Sequence, residues 1–148
     1  MKKTLAIIGC GFLGNIIADA CKNGLLNGYT LIRAYSKTHE NAVKLTESAG
    51  GTACRSIDEL LALKPDFLAE TASVQTVKDC AVKALLQGTS LIPLSIGAFA
   101  DKEFLKEVKS AAQSGFSNRI LLKELVFMIH NTIFIYCKLR LIEQVYDT

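Results

Sequence analysis

No CxxC pair occurs among the five cysteines, Cys10, Cys21, Cys54, Cys80 and Cys137, and the chain holds only two histidines. Spacing therefore assembles no metal-ligand set, and the cysteines read as small buried residues of a reduced compartment. The net charge is +3 with a sequence pI near 8.6, but lysines and arginines are scattered, without a dense cluster or interleaved aromatics. Nucleic acid is thus not an expected partner. After Met1-Lys2-Lys3 the apolar run Leu5-Ala6-Ile7-Ile8 is too short for a signal peptide, and a cytoplasmic location is expected. Internal repeats, low-complexity stretches and long flexible linkers are also missing up to Gly115. What remains is 148 residues, 50% hydrophobic and 21% charged, enough for one ordinary globular core.

The apolar run leads directly into Gly9-Cys10-Gly11-Phe12-Leu13-Gly14, and this in turn opens an amphipathic segment with Ile16, Ile17, Ala20 and Cys21 on one helical face. A strand, a GxGxxG turn and a helix in that order point to a dinucleotide-binding turn. Gly9 suits the tight turn, Gly11 leaves the backbone open to a pyrophosphate, and Gly14 lets the helix lie close to the strand. Helix-start N–H groups and the positive dipole end then form an anion site without a basic side chain. For the hexapeptide alone, an ordinary structural turn is the alternative.

Further along, Tyr29 to Tyr35 reads as a second strand, followed by a helix from about His39 to Ala49 that ends at Gly50-Gly51. Thr52-Ala53-Cys54 is a short third strand, and Ser56 with Glu59 forms a capping box for a helix through Leu63. Strand Phe67-Leu68-Ala69 follows Pro65-Asp66, then a helix from Val74 to Leu86 stopped by Gly88, then strand Leu91-Ile92-Pro93-Leu94, with Pro93 marking a strand end. Asp101 starts a last helix carrying Phe104, Leu105, Val108, Ala111 and Ala112, ended by Gly115. Such alternation predicts βαβ units in a Rossmann-like, doubly wound parallel α/β sheet.

The composition changes beyond Gly115. Leu121 to Ile142 is strongly apolar but interrupted by His130, Asn131, Lys138 and Arg140, groups that are costly at bilayer depth. A buried terminal helix, a strand or a self-association surface is expected there rather than a membrane span.

In a sheet of this type ligands lie across the carboxyl ends of the strands. After the second strand, where an NAD site usually carries an acidic residue for the ribose, the chain reads Ser36-Lys37-Thr38. Without a carboxylate to repel a 2′-phosphate, and with Lys37 and two hydroxyls to bind it, NADP is favoured over NAD. A solvated loop lysine is the plain alternative. Arg33 lies inside the strand and can point either way. After the fourth strand comes Glu70-Thr71-Ala72-Ser73, and after the fifth Leu94-Ser95-Ile96-Gly97-Ala98-Phe99-Ala100-Asp101. Their small residues leave room for a nicotinamide ring, while Ser73 and Asp101 also suit helix caps. Glu70 is the only carboxylate of that edge before Asp101, with no acid, base or nucleophile to pair with it.

These three segments together resemble the N-terminal half of the L-aspartate dehydrogenase family. The last is the most distinctive, being similar to the family's Ser-Val-Gly-Ala-Leu-Ala-Asp stretch, and the likeness runs to about Leu122. The resemblance implies hydride transfer from the α-carbon of L-aspartate to NAD(P), giving iminoaspartate for NAD biosynthesis. It further implies a coenzyme domain joined to an α/β substrate domain, commonly in a homodimer. By the same likeness Gly9, Gly11, Phe12, Leu13 and Gly14 belong to the pyrophosphate turn, Ser36 and Lys37 face the adenosine ribose, and Ala72, Ser73, Ser95 and Gly97 face the nicotinamide.

The resemblance stops where the family continues from a strand like Asn118-Arg119-Ile120-Leu121-Leu122 into a Pro-Ser-Gly-Ala-Ile-Gly-Gly type of motif and a substrate domain with its catalytic histidine. Here Lys123-Glu124-Leu125-Val126-Phe127 follows. The expected organisation is a dinucleotide-binding domain at 1–122 and an atypical apolar segment at 123–148 in place of the substrate domain, as in a truncated or frame-shifted product. No catalytic residue is assigned. His130 has surroundings unlike the family's, and a lone histidine among apolar residues is more often structural.

Overall fold

The computed structural model describes residues 1–115. Five strands form one parallel sheet: β1 (Lys3–Ile8), β2 (Tyr29–Tyr35), β3 (Thr52–Cys54), β4 (Phe67–Glu70) and β5 (Ser90–Pro93). Their spatial order is β3-β2-β1-β4-β5, so the chain winds outward from β1 in one direction and then resumes on its other side. Between the strands run α1 (Phe12–Lys22), α2 (His39–Ala49), α3 (Ile57–Leu61) and α4 (Val74–Leu86); a 3₁₀ turn (Ile96–Ala100) and α5 (Lys102–Ser114) follow β5.

The alternating side chains of the strands divide the core between two faces. Leu5 and Ile7 of β1 pack with Ile17, Ala18, Ala42 and Leu45 of α1 and α2. Ala6 and Ile8 pack on the opposite side with Leu60, Val77, Ala81 and Val108 of α3, α4 and α5. Each fully buried Leu, Ile or Val contributes about 1.5–3 kcal/mol by leaving water, and the continuous apolar runs of β1 and β4 follow from burial on both faces.

The expected elements are present, with small corrections. Helix α3 ends at Leu61 rather than Leu63, because Lys64 precedes Pro65, which disfavours helical backbone there, and itself adopts φ 48°. Strand β4 extends one residue further, to Glu70, whereas β5 closes at Pro93, one residue earlier than Leu94. On α1, Ala18 is buried and Cys21 only partly so, which rotates the packed stripe slightly from the expected one. Cys10, Cys54 and Cys80 are buried. Cys137, His130, the strand-like stretch at 118–122 and the segment 123–148 lie outside the described residues. Among the described residues no helix is long and apolar enough to cross a membrane, and no three His, Cys, Asp or Glu side chains cluster to hold a metal ion.

Candidate functional site

Neighbouring strands β1 and β4 start connections that run in opposite directions across the sheet, so the crevice beyond their carboxyl ends is the topological switch point. The glycine turn sits there. Gly9 has φ 96°, and a Cβ on it would come within 2.8 Å of the Ala72 nitrogen and the Thr71 carbonyl carbon. A Cβ on Gly14 would run into the Gly9 carbonyl oxygen. The protein's own backbone thus demands both glycines. Gly11 is different: its φ is −86°, and a Cβ there would meet nothing within 4 Å. Neither conformation nor packing calls for glycine at position 11, and the space it leaves is open.

Thr71 braces this turn from β4. Its hydroxyl donates to the Gly9 carbonyl at 2.6 Å and its N–H to the Ile8 carbonyl at 2.8 Å, while the Gly9 N–H donates to Tyr35 O at 2.8 Å. Cys10 is not a nucleophile in this setting: burial pushes its thiol up to about 11, and Sγ faces the Tyr35 carbonyl at 3.5 Å. Phe12 is 76% exposed and Leu13 partly exposed at the start of α1.

The helix starts around the edge fall into two groups. Ser56 caps α3, Ser73 caps α4 and Asp101 caps α5, each accepting from first-turn N–H groups. By contrast, Gly11 and Thr38 give α1 and α2 no side-chain cap. First-turn N–H groups lack the ordinary intrahelical acceptor, so among the described residues these two uncapped starts present free donors, apart from the Asn41 N–H, which bonds the Thr38 carbonyl at 3.0 Å. One follows the glycine turn, and the other follows the Ser36-Lys37-Thr38 loop.

In that second loop Ser36 is half-buried, and Lys37 is exposed and forms no ion pair with a described residue. Glu40, exposed in the first turn of α2, is its nearest carboxylate in sequence. The Nδ1 atom of His39 is buried without a hydrogen-bond partner. Arg33 turns away from any ligand role, its guanidinium lying 3.4 Å from Cys54 Sγ and 3.6 Å from Glu59. Tyr35 pairs with Cys54, so Arg55 follows β3 just as Ser36 follows β2. Its N–H is held by Glu59 at 2.7 Å and its residue surface is exposed. In the capping box, the reciprocal bond of Glu59 therefore comes from Arg55 rather than Ser56.

Glu70 closes β4 and is fully buried. Oε1 accepts from the N–H groups of Ala72 at 2.7 Å and Ser73 at 2.8 Å and from Ser95 Oγ at 3.0 Å; Oε2 accepts from the Ser95 N–H at 3.1 Å. One carboxylate thereby ties the loop after β4 to the loop after β5. Its role was not legible in the sequence, where Glu70 was only the one carboxylate of that edge before Asp101. A glutamate ending an otherwise apolar strand was the available signal.

The candidate residues thus converge on one edge. Gly9 abuts Ala72, Ser73 and Ser95 share Glu70, and Gly97 lies against Val74, where a Cβ would be 3.4 Å from Val74 Cγ2. The Ser73 hydroxyl is engaged by Thr76 N at 3.2 Å, and that of Ser95 by Glu70. Ser36 and Lys37 join the glycine turn through the Gly9–Tyr35 hydrogen bond. A surface cavity of about 460 Å³ between α4 and α5, lined by Val82, Leu86, Lys106 and Ala111, lies toward the end of α4 remote from this edge.

Strand order, switch point and open glycine turn define a Rossmann-type dinucleotide-binding domain. The chain belongs to the family described as homoserine dehydrogenase, NAD binding domain, which matches residues 9–121. It is similar to the N-terminal part of L-aspartate dehydrogenases. That of Methanococcus maripaludis is 39% identical over 108 residues, covering 72% of this chain and 40% of that protein. That of Methanocaldococcus jannaschii is 30% identical over 110 residues, covering 74% and 41%. The chain therefore spans about two fifths of the length of these relatives. Among solved structures, a myo-inositol dehydrogenase from Corynebacterium glutamicum shares the fold at a TM-score of 0.66 and 18% identity, covering 80% of this chain and 36% of that one.

Proposed function

We propose that this chain is the coenzyme-binding part of an oxidoreductase of the L-aspartate dehydrogenase type, taking NADP in preference to NAD. The observation that carries the reading is Gly11, a glycine that neither backbone conformation nor packing requires, at the uncapped start of α1 beside the switch point. The residues fit such a cofactor. Gly9, Gly11, Phe12, Leu13 and Gly14 form a backbone cradle for a pyrophosphate, and Ser36 and Lys37 lie where the adenosine ribose would come. Ala72, Ser73, Ser95 and Gly97 would border the nicotinamide. The His39 Nδ1, on the first residue of α2 just after that loop, is a further polar atom without a partner among the described residues.

When bound, the nicotinamide supplies a hydride acceptor. The chain's own residues anchor the phosphates by N–H groups, orient the ribose and hold the two small-residue loops apart. The substrate is proposed to be L-aspartate, oxidised to iminoaspartate for NAD biosynthesis, in a cytoplasmic enzyme that acts as a homodimer. No described residue is assigned to proton transfer. A catalytically silent NADP(H)-binding module is the second reading, favoured by the departure from the family's pattern after Leu122.

Fluorescence titration with NADPH and NADH, followed by an aspartate assay on the same sample, separates these readings. Binding with aspartate-dependent NADPH formation supports the enzyme, and binding without turnover supports the silent module. Absence of binding to either nucleotide refutes both. Lys37→Asp is expected to weaken NADPH by about tenfold, the value of one charge-assisted hydrogen bond, with a much smaller effect on NADH. Equal losses would show that Lys37 does not read the 2′-phosphate.

A further inference from the structure

We infer that Glu70 is a positioning residue for the nicotinamide end of the site, setting the separation of the loops after β4 and β5. The inference rests on the proposed cofactor reading and deepens it. Up to Pro93 the two strands are held by the parallel ladder, in which Glu70 pairs with Pro93, and the Leu94 N–H still donates to the Glu70 carbonyl at 2.9 Å. Beyond that point the main chains separate into the 3₁₀ turn on one side and the start of α4 on the other.

The Glu70 side chain takes over where the ladder stops. Its four hydrogen bonds to described residues run to the two loops, two to Ala72 and Ser73 and two to Ser95. Among the described residues no basic side chain is a partner, and the donors to the carboxylate are groups whose places define the loops. Two of the donors are the N–H groups of Ala72 and Ser73, which lie just before α4, whose first turn is capped by the Ser73 hydroxyl. The start of α4 is thus closed by Ser73, itself held by Glu70, while the start of α1 has no side-chain cap. A dinucleotide crossing this edge would meet its phosphates at the open helix and its ring between loops held by Glu70.

Glutamine at position 70 can keep its oxygen toward Ala72, Ser73 and the Ser95 hydroxyl only by setting its NH₂ group against the Ser95 N–H. The loops would then separate or rotate while the glycine turn, braced by Thr71, stays in place. The test compares NADPH with ADP-ribose, which carries the adenosine and pyrophosphate but no nicotinamide, on full-length wild type, Glu70→Gln and Ser95→Ala. Glu70→Gln is expected to weaken NADPH about tenfold or more and to lower the fluorescence of the bound dihydronicotinamide, with ADP-ribose changing by less than about twofold. Ser95→Ala, which removes one of the four donors and keeps the backbone bond, should change both readouts in the same direction by a smaller factor. It serves alone if Glu70→Gln does not fold.

Equal losses of NADPH and ADP-ribose would make Glu70 a support of the whole fold and overturn the inference. Unchanged NADPH affinity and fluorescence would overturn it too. Wild type that binds neither ligand would refute the cofactor reading itself, and the inference with it, a result distinct from both.

Discussion

Replacing Gly11 by alanine separates the demands of folding from those of a ligand. In the folded chain the new methyl group would meet no atom within 4 Å, and φ −86° with ψ −156° is extended backbone open to alanine. Two small terms act on stability with opposite signs. Alanine reduces the freedom of the unfolded chain, a gain of about 0.4–1 kcal/mol, but it is a poorer N-cap than glycine, a cost of about 0.5–1 kcal/mol. The net change should stay within about 1 kcal/mol, or about 2–4 °C in Tm for a chain of this size. Binding should respond much more strongly. A methyl group in the open space would push a pyrophosphate from the N–H groups at the start of α1, each charge-assisted bond being worth about 1.5–3 kcal/mol, so NADPH affinity should fall by about tenfold or more. Thermal unfolding without nucleotide and fluorescence titration with NADPH measure the two effects. Gly14→Ala is the contrasting case, since its Cβ meets the Gly9 carbonyl and the overpacking should cost about 1–3 kcal/mol before any ligand is added. Gly11→Ala with unchanged NADPH affinity would refute the assignment of that space to the pyrophosphate.

Two stability predictions are independent of the ligand. Thr89 is fully buried and its hydroxyl has no hydrogen-bond partner among the described residues, so Thr89→Val, which keeps the shape and removes the stranded group, should raise stability by about 1 kcal/mol in thermal or urea unfolding; a clear loss would mean that the hydroxyl is bonded. The Asp66 carboxyl is held below the usual carboxylate range, chiefly by the Thr4 N–H at 2.8 Å, with smaller help from the Thr4 hydroxyl and Lys3. Because the unfolded chain binds that proton more readily, the stabilisation is present above the unfolded pKa of about 3.9 and is lost as pH falls through the lower folded value. Asp66→Asn should therefore lower Tm modestly at pH 7, with the difference from wild type narrowing below about pH 4; a difference independent of pH would assign the effect to packing.

Much of the architecture was legible because it rests on local chemistry. The spans of β2, α2, β3 and α4 are the expected ones: β-formers between the Asn27-Gly28 turn and the polar run Ser36-Lys37-Thr38, an amphipathic stretch ended by Gly50-Gly51, and an apolar face at Val77, Ala81, Ala84 and Leu85 are properties of neighbouring residues. Ser73 and Asp101 cap helices as their position before those helices predicts. Cys10, Cys54 and Cys80 are buried as the small, weakly polar thiol predicts, whereas Cys21 is only partly so. Less legible were the places where distant segments compete for one group. Arg33 is drawn to Glu59 and Cys54 across the sheet edge, and the second half of the capping box goes to Arg55.

The order of residues by itself determined the alternation of strands and helices, the family to which the chain belongs, and the three glycines of the turn, since periodicity, turn chemistry and motif spacing are all written along the chain. Tertiary structure decided what each of those glycines is for. Gly9 and Gly14 are held by contacts with Thr71, Ala72 and each other, whereas Gly11 faces open space. It also decided the role of Glu70, whose four donors come from two loops separated by more than twenty residues in sequence. Neither fact can be read from spacing, because each depends on which backbone groups the parallel sheet brings beside β1 and β4 once both faces of the sheet are covered.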